Sequence, residues 1–187
     1  MSKPIDEYDE IAQQVAKCSP LSTKGLILVP ASEDIADYSR WLNDPDVVKF
    51  SELRHRQHTY EDCQAYVRSF DQIKNCMWTI NVIGANMHIG NITTHHDPQN
   101  DVLQMGILIG EKWAWGRKYG IEAWQAVMAW AVENKIRRIE AGCMAKNLGI
   151  RKVIERSGME LAANMPGHFK FGSGLDAKYI YKKDLAA

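Results

Sequence analysis

The apolar and polar positions of the chain alternate with periods that change several times, and each change marks an element. Ile5, Tyr8, Ile11, Ala12, Val15 and Ala16 recur at helical spacing and stop near Ser19 and Pro20, which predicts an amphipathic helix over residues 1 to about 20. Gly25 to Val29 (GLILV) is short, apolar and rich in strand formers, Pro30 closes it, and Ser32 is placed to cap a helix running to Asn43 before the Asp44-Pro45 break. Thr59 with Asp62 three residues on has the spacing of a capping box, so a further helix is expected to about Phe70. Strand patterns follow at 77–83, 87–96 and 102–109, separated by the turns Gly84-Ala85-Asn86 and Asp97 to Asn100, and they read as an antiparallel meander. The third, VLQMGILI, is apolar at nearly every position, which predicts a central strand covered on both faces.

From Gly116 to Asn134 the period becomes helical, with Ile121, Trp124, Val127, Met128 and Ala131 on one side. Arg138 to Cys143 reads as a buried strand, Asn147 caps a helix that ends at Gly158, and two last strands are expected at 159–164 and 178–183, joined by a glycine-containing loop. The organisation implied is an N-terminal helical extension, residues 1–24, and one domain, residues 25–187.

Composition narrows the function. A chain of 187 residues with 45% hydrophobic content buries one sizeable core. Lys plus Arg equals Asp plus Glu at 23 each, so no overall field draws the protein to nucleic acid or to an anionic membrane. Cys18, Cys63, Cys76 and Cys143 are scattered without a CxxC pair, no signal peptide precedes them, and no apolar run approaches the roughly 18–20 residues that cross a bilayer, so reduced thiols in a cytoplasmic protein are expected.

Two stretches concentrate chemistry. In KFSELRHRQHTYED, residues 49–62, Glu52, Arg54, His55, Arg56 and His58 stand within a few positions of one another, as a substrate grip or as a solvated loop. A metal site is disfavoured, because no Cys and no third His lies close to His55 and His58. In GILIGEKWAWGRKYGIEAW, residues 106–124, a strand passes through a short loop into a helix. Gly116 and Gly120 leave backbone amides unshielded at the helix N-terminus, where aligned peptide dipoles favour an anion, and Arg117 and Lys118 add positive charge. A tight turn that lets Trp113 and Trp115 pack beneath the loop accounts for the same glycines.

This segment resembles motif A of the GNAT superfamily of acyl-CoA-dependent N-acyltransferases, whose loop reads [Q/R]-x-x-G-x-[G/A]. Trp115-Gly116-Arg117-Lys118-Tyr119-Gly120 matches at the last glycine, and Trp-Gly before the basic pair with Glu122-Ala123 after it is similar to the branch of ribosomal-protein alanine and amino-sugar acetyltransferases. The order of elements over residues 25–184 is similar to the whole family fold, as are Asn147 at the start and Ser157-Gly158-Met159 at the end of the later helix. Three positions depart: Trp115 replaces Gln or Arg, Lys118 replaces the middle glycine, and Ile154 stands where many relatives carry a tyrosine that protonates the departing thiolate.

The resemblance implies an α/β (α+β) GNAT fold: a central mixed and mainly antiparallel sheet flanked by helices, with the extra N-terminal helix. It implies acetyl-CoA as cosubstrate, lying between the strands 102–109 and 138–143, with Ile107, Leu108 and Ile109 pairing to pantetheine. Trp115, Gly116, Arg117, Lys118, Tyr119 and Gly120 would hold the pyrophosphate, with Asn147 nearby. The acceptor amine must lose a proton before it attacks, and Glu52, His55, His95, His96 and Glu111 are the candidates to take it. Strand alternation lets at most one of His95 and His96 face the groove. Glu52, Arg54, His55 and His58 would meet the acceptor, since the loop between the first two helices overlies that end of the groove.

An amine on an amino-sugar nucleotide is the first acceptor class that the resemblance suggests. A protein N-terminal amine, which calls for an open cleft, and a modified nucleobase or nucleotide are alternatives. A homodimer through the N-terminal helix or the last strands is left open. The rival of another class is a catalytically silent GNAT-fold module that binds acyl-CoA, to which the changed loop and Ile154 point. A doubly wound nucleotide-binding domain is disfavoured, because the strands form a meander rather than repeated βαβ units.

Overall fold

The computed structural model describes residues 17–32, 36–85 and 87–185. The expected N-terminal helix lies outside the described residues as far as residue 16, and residues 17–20 run without regular structure into the first strand. The elements in chain order are β1 (Leu21–Ser22), β2 (Leu26–Pro30), α1 (Ala36–Leu42), a 3₁₀ turn (Glu52–His55), α2 (Tyr60–Arg68), β3 (Asn75–Val82), β4 (Met87–Asp97) and β5 (Val102–Ile109). A second 3₁₀ turn (Lys112–Ala114), α3 (Tyr119–Glu133), β6 (Arg138–Met144), α4 (Leu148–Arg156), β7 (Glu160–Phe171) and β8 (Gly174–Asp184) complete it.

Two of the expected start signals are made, while the stretch that Ser32 is expected to cap, residues 33–35, lies outside the described residues. Thr59 accepts from the Asp62 amide while the Asp62 carboxylate accepts from the Thr59 amide, both at 3.1 Å, so two orphan donors of α2 are satisfied reciprocally. Asn147 Oδ1 accepts from the Ile150 amide at the start of α4. Gly158, at φ +79°, takes the left-handed position after it.

The strands form one mixed sheet in the order β1-β2-β3-β4-β5-β6-β8-β7, antiparallel except where β5 runs parallel to β6. Its two faces carry separate cores. Leu103 and Met105 of β5, Ile139 and Ala141 of β6, Ile92 of β4 and the buried side of α3, with Trp124, Val127 and Ala131, form the larger. Tyr38, Trp41, Val67, Phe70 and Met77 form the smaller, under α1 and α2 on the opposite face. β5 is central as expected, yet it is covered on both faces only in part: Gln104 is exposed and Gly106 half-buried, because the two short helices stop before reaching them.

The C-terminal hairpin is longer than its sequence suggested. The segment expected as a loop is strand through Phe171 and again from Gly174, with register shifts at Leu161/Ala163 and Met165/Phe169. The second shift falls on Pro166-Gly167, where proline removes a ladder donor and Gly167 adopts φ +66°.

Candidate active site

The central feature is a fork in the sheet. β4 and β5 pair along their whole length, from Asp97↔Val102 to Gly90↔Ile109. β5 and β6 pair only at Val102↔Arg138, Leu103↔Ile139 and Gln104↔Glu140, after which the two strands part. The Gly110 amide donates to Ile89 O at 2.9 Å, which sets the alternation along β5 and turns the backbone groups of Met105, Ile107 and Ile109 toward the opening. An edge that no strand pairs therefore lies inside the molecule, its Ile109 carbonyl alone taken by the Trp115 indole at 2.8 Å.

The fork is open from one face. Leu103, Met105 and the inner sides of Ile107 and Ile109 rest against the core under α3 and α4. On the other face the first residues past the last pairing are Gly106 on β5 and Gly142 on β6, neither of which has a side chain to fill the gap. A Cβ at Gly142 would come 3.4 Å from Lys178 Cε, and one at Gly106 would come 3.1 Å from Thr93 Oγ1. Gly142 is exposed and Gly106 half-buried, so this face gives access to the fork.

At the far end of β5 the chain turns into α3 through two left-handed residues, Gly116 (φ +76°) and Lys118 (φ +68°), with Arg117 between them. The amides of Gly116, Lys118, Tyr119 and Gly120 meet no acceptor among the described residues. Successive amides in such a turn converge to make an anion-binding concavity at the positive end of a helix. Lys118 shows why this position favours glycine: it caps α3 in a conformation where a Cβ is strained. A Cβ on Gly120 would make ordinary contact with Val153 Cγ2 at 3.4 Å, so a larger residue would press between α3 and α4.

Trp113 and Trp115 are 39% and 45% exposed, and so do not pack beneath the loop. Each is tethered by its polar neighbours instead: Trp115 Nε1 donates to Ile109 O at 2.8 Å, and the Arg117 guanidinium lies 5.6 Å over the Trp113 ring while its Nε donates to Trp113 O. Glu122 Oε1 accepts from Thr23 Oγ1 at 2.6 Å and from the Gly25 amide at 2.7 Å, fixing the β1–β2 turn against the start of α3. Ile154 is fully buried in the larger core.

The histidine and carboxylate candidates are dispersed. His95 and His96 point to opposite faces. His95 lies on the α1/α2 side, 5.2 Å from the Phe70 ring, with Nδ1 3.1 Å from Asn75 Oδ1, and partial burial lowers its pKa below the ordinary histidine value. His96 lies under the other face, its side chain 4% exposed and its Nε2 3.1 Å from Asp101 Oδ1. Glu111 Oε1 is held by Arg40 Nη2 and by Trp41 Nε1, which ties the end of β5 to α1. Glu52 and His55 are exposed on the α1–α2 loop, 3.6 Å apart, and Arg54 Nη1 bonds Glu52 Oε1 at 2.7 Å. His58 is 5% exposed, with Nε2 2.8 Å from Leu53 O and its backbone joined to the Asn43 side chain, so it pins the loop from inside and adds nothing to its surface.

The same loop reaches the C-terminal hairpin. Arg54 Nη2 donates to Lys170 O at 2.8 Å, Phe50 stacks on Phe171 with centroids 5.4 Å apart, and the Lys146 ammonium lies 5.2 Å from the centre of the same Phe171 ring. Beside it, a cavity of about 420 Å³ is lined by Lys49, Arg54, His55 and Arg56 together with Pro45 and Val48; no carboxylate is among its lining residues, although Glu52 pairs with Arg54 at 2.7 Å and Asp62 lies 3.6 Å from Arg56.

Comparison with known proteins places this architecture. A family model for the acetyltransferase (GNAT) domain matches residues 25–160. A GNAT-family acetyltransferase from Bacillus anthracis is similar in fold at a TM-score of 0.76 and 23% identity, over 88% of this chain and 98% of that one. RimL, a ribosomal L7/L12 alpha-N-protein acetyltransferase solved with coenzyme A, is similar at 0.78 and 16% identity, over 89% and 98%. The microcin C7 self-immunity acetyltransferase MccE, solved with acetyl-CoA and AMP, is similar at 0.75 and 14% identity, over 87% and 94%. No curated protein sequence matches the chain.

The protein is thus an acyltransferase by class, and the chain belongs to the GNAT acetyltransferase family, whose members take acetyl from acetyl-CoA to an amine. The residues present fit that cosubstrate: an unpaired strand edge suits the amides of a pantetheine arm, and the amide concavity with Arg117 and Lys118 suits a pyrophosphate. Among the described residues no helix is long and apolar enough to cross a membrane.

Proposed function

We propose that the acceptor is the primary amine of a polar, anionic small molecule, with an amino-sugar nucleotide as the class. The observation that carries this is the cavity beside the α1–α2 loop, whose charged lining is wholly basic. At about 420 Å³ it is within the range that holds a small ligand, and the Arg guanidiniums are shaped for bidentate contact with phosphate oxygens. The contacts of Arg54 and Phe50 with the hairpin support a bounded site, which suits a small molecule better than a peptide. Lys49, Arg54 and Arg56 supply its charge with His55 beside them, Glu52 acts from outside the lining by pairing with Arg54, and His58 acts by holding the loop in shape.

On the cosubstrate side, the backbone of Ile107 and Ile109 would pair with the pantetheine amides, and the amides of residues 115–120 with Arg117 and Lys118 would bind the pyrophosphate. Leu108, expected to pair with pantetheine, has its backbone turned to β4 and its side chain beside the smaller core, so it does not; Asn147 caps α4, its backbone amide donating to Met144 O at the end of β6 at 3.0 Å. Acetyl-CoA supplies the activated acetyl group.

The test is thiol release from acetyl-CoA against UDP-linked amino sugars, N-terminal peptides and aminated nucleosides. Turnover with the UDP-linked amines, together with a raised acceptor KM and an unchanged acetyl-CoA KM in Lys49→Ala and Arg56→Ala, is expected. Turnover with peptides alone would refute the proposal.

A further inference from the structure

We infer that Glu140 takes the proton from the acceptor amine. The inference rests on acetyl transfer itself and is independent of which amine is accepted. It begins from the register of the sheet. Asn75 faces His95, His95 faces Gln104, Gln104 faces Glu140, and Glu140 faces Lys182, so one polar row crosses five strands on a single face. Gln104 and Glu140 are the last pair before β5 and β6 separate. Glu140 therefore stands at the base of the fork, on the side that Gly106 and Gly142 leave uncovered.

The opposite face is filled by α3 and α4, so an amine reaches the fork only from the side of Glu140. Around the fork on that side stand Arg138, Glu140, Lys178 and Lys182, with His95 farther along the row. His95 is two strand spacings from β6, or about 10 Å between backbones, too far to share the same amine. Glu160 on β7 and Asp184 on β8 are joined to Lys182 at 3.1 and 3.3 Å, and Asp184 also holds Arg138 at 2.6 Å. That pairing turns the Lys182 ammonium away, and the nearest cation to Glu140 is Arg138, 3.9 Å from Oε1. Oε2 has no partner among the described residues, and the side chain is 32% exposed.

Among the described residues, Glu140 is thus the one carboxylate at the fork with an oxygen to spare. An acceptor arriving as an ammonium gives a proton to Glu140, and its nitrogen lone pair forms the C–N bond as the C–S bond breaks. The nitrogen sheds two protons in all. One neutralises the leaving thiolate, and the other passes from Glu140 to solvent, so the products are an amide, a thiol and one released proton.

Two nucleophiles separate this role from a structural one. Ethanolamine is protonated at pH 7 and needs a base; hydroxylamine is already neutral and does not. With thiol release measured above the enzyme-free background, Glu140→Gln is expected to lower kcat/KM for ethanolamine by about 10² or more while changing that for hydroxylamine by less than about threefold. Glu140→Asp should restore part of the ethanolamine rate, and CoA affinity by calorimetry should be unchanged in both variants. An equal fall with both nucleophiles, or no fall with ethanolamine, would overturn the assignment. Absence of release from the unsubstituted enzyme with these nucleophiles and with the UDP-linked amines, peptides and nucleosides alike would instead remove the acetyl transfer beneath it.

Discussion

Lys118 offers the sharpest check on the reading of the loop, because one substitution separates its backbone from its charge. The residue caps α3 at φ +68° and ψ +1°, a conformation that costs an L-residue roughly 1–2 kcal/mol and glycine almost nothing. Lys118→Gly removes that strain but gives the unfolded chain more freedom, worth about 0.4–1 kcal/mol in the other direction. The net gain is about 0.5–1 kcal/mol, which for a chain of this length raises Tm by about 1–4 °C. Lys118→Ala keeps the strained backbone and loses the ammonium, so its Tm should stay within about 1 °C of the unsubstituted protein, apart from the small relief of moving a cation from a helix N-terminus.

Both variants lose the same charge beside the amide concavity. Each should bind CoA about two- to fivefold more weakly at low salt, and the deficit should shrink at high salt as screening sets in. Scanning calorimetry and isothermal titration of the three proteins decide the matter. A Lys118→Gly protein that melts no higher than the unsubstituted one, or a Lys118→Ala protein that gains as much, would refute the strain argument. Equal CoA affinity in all three would refute the role of the ammonium.

Three further outcomes follow from other parts of the structure. A Cβ at Gly110 would lie 1.9 Å from Trp41 Cδ2, a ring that is 1% exposed, so Gly110→Ala should cost about 1–3 kcal/mol by overpacking and loosen the Glu111 contact; a melting curve within 1 °C of the parent would contradict this. Glu122→Ala removes two short bonds to a carboxylate and should cost about 2 kcal/mol, or roughly 4–8 °C in Tm, with no direct loss at the fork. His95 is held below its unfolded pKa by burial, so below about pH 6.5 the unfolded chain binds the proton more readily and the folded state loses stability. Chemical denaturation from pH 7.5 to 5.5 should show a decline that His95→Gln flattens, and an identical decline in both proteins would exclude His95 as its source.

Most of the element order was readable because each element carries its own period and its own punctuation. Thr59 with Asp62 and Asn147 with Gly158 are local signals that the fold uses as written. The hairpin length was hidden because Pro166, Gly167 and Gly172 look like a loop, although the ladder passes the first two as a bulge and turns only at the third. The exposure of Trp113 and Trp115 was hidden for a related reason: their bulk suggests a core, while their tethers run to Ile109 and Arg117 at the surface.

The site was legible where it is local and illegible where it depends on register. The glycines and basic pair of residues 116–120 could be read directly, as could the opposite facing of His95 and His96. The fork could not, since the β5–β6 pairing closes across a long helical crossover and nothing in either strand states where it ends. Glu140 did leave a trace: a carboxylate between Ile139 and Ala141 in an otherwise buried strand must look out on the other face. Only the pairing with Gln104 places that face at the fork.

A sheet that stops zipping after three pairs forgoes stability it could have had. Each further ladder bond between residues 105–109 and 141–144 would contribute about 0.5–1.5 kcal/mol, and the sequence there is apolar enough to pair. Selection of this protein for thermal endurance alone should therefore favour changes that draw β5 and β6 together, and such variants would outlast the parent while closing the fork proposed to hold its cosubstrate.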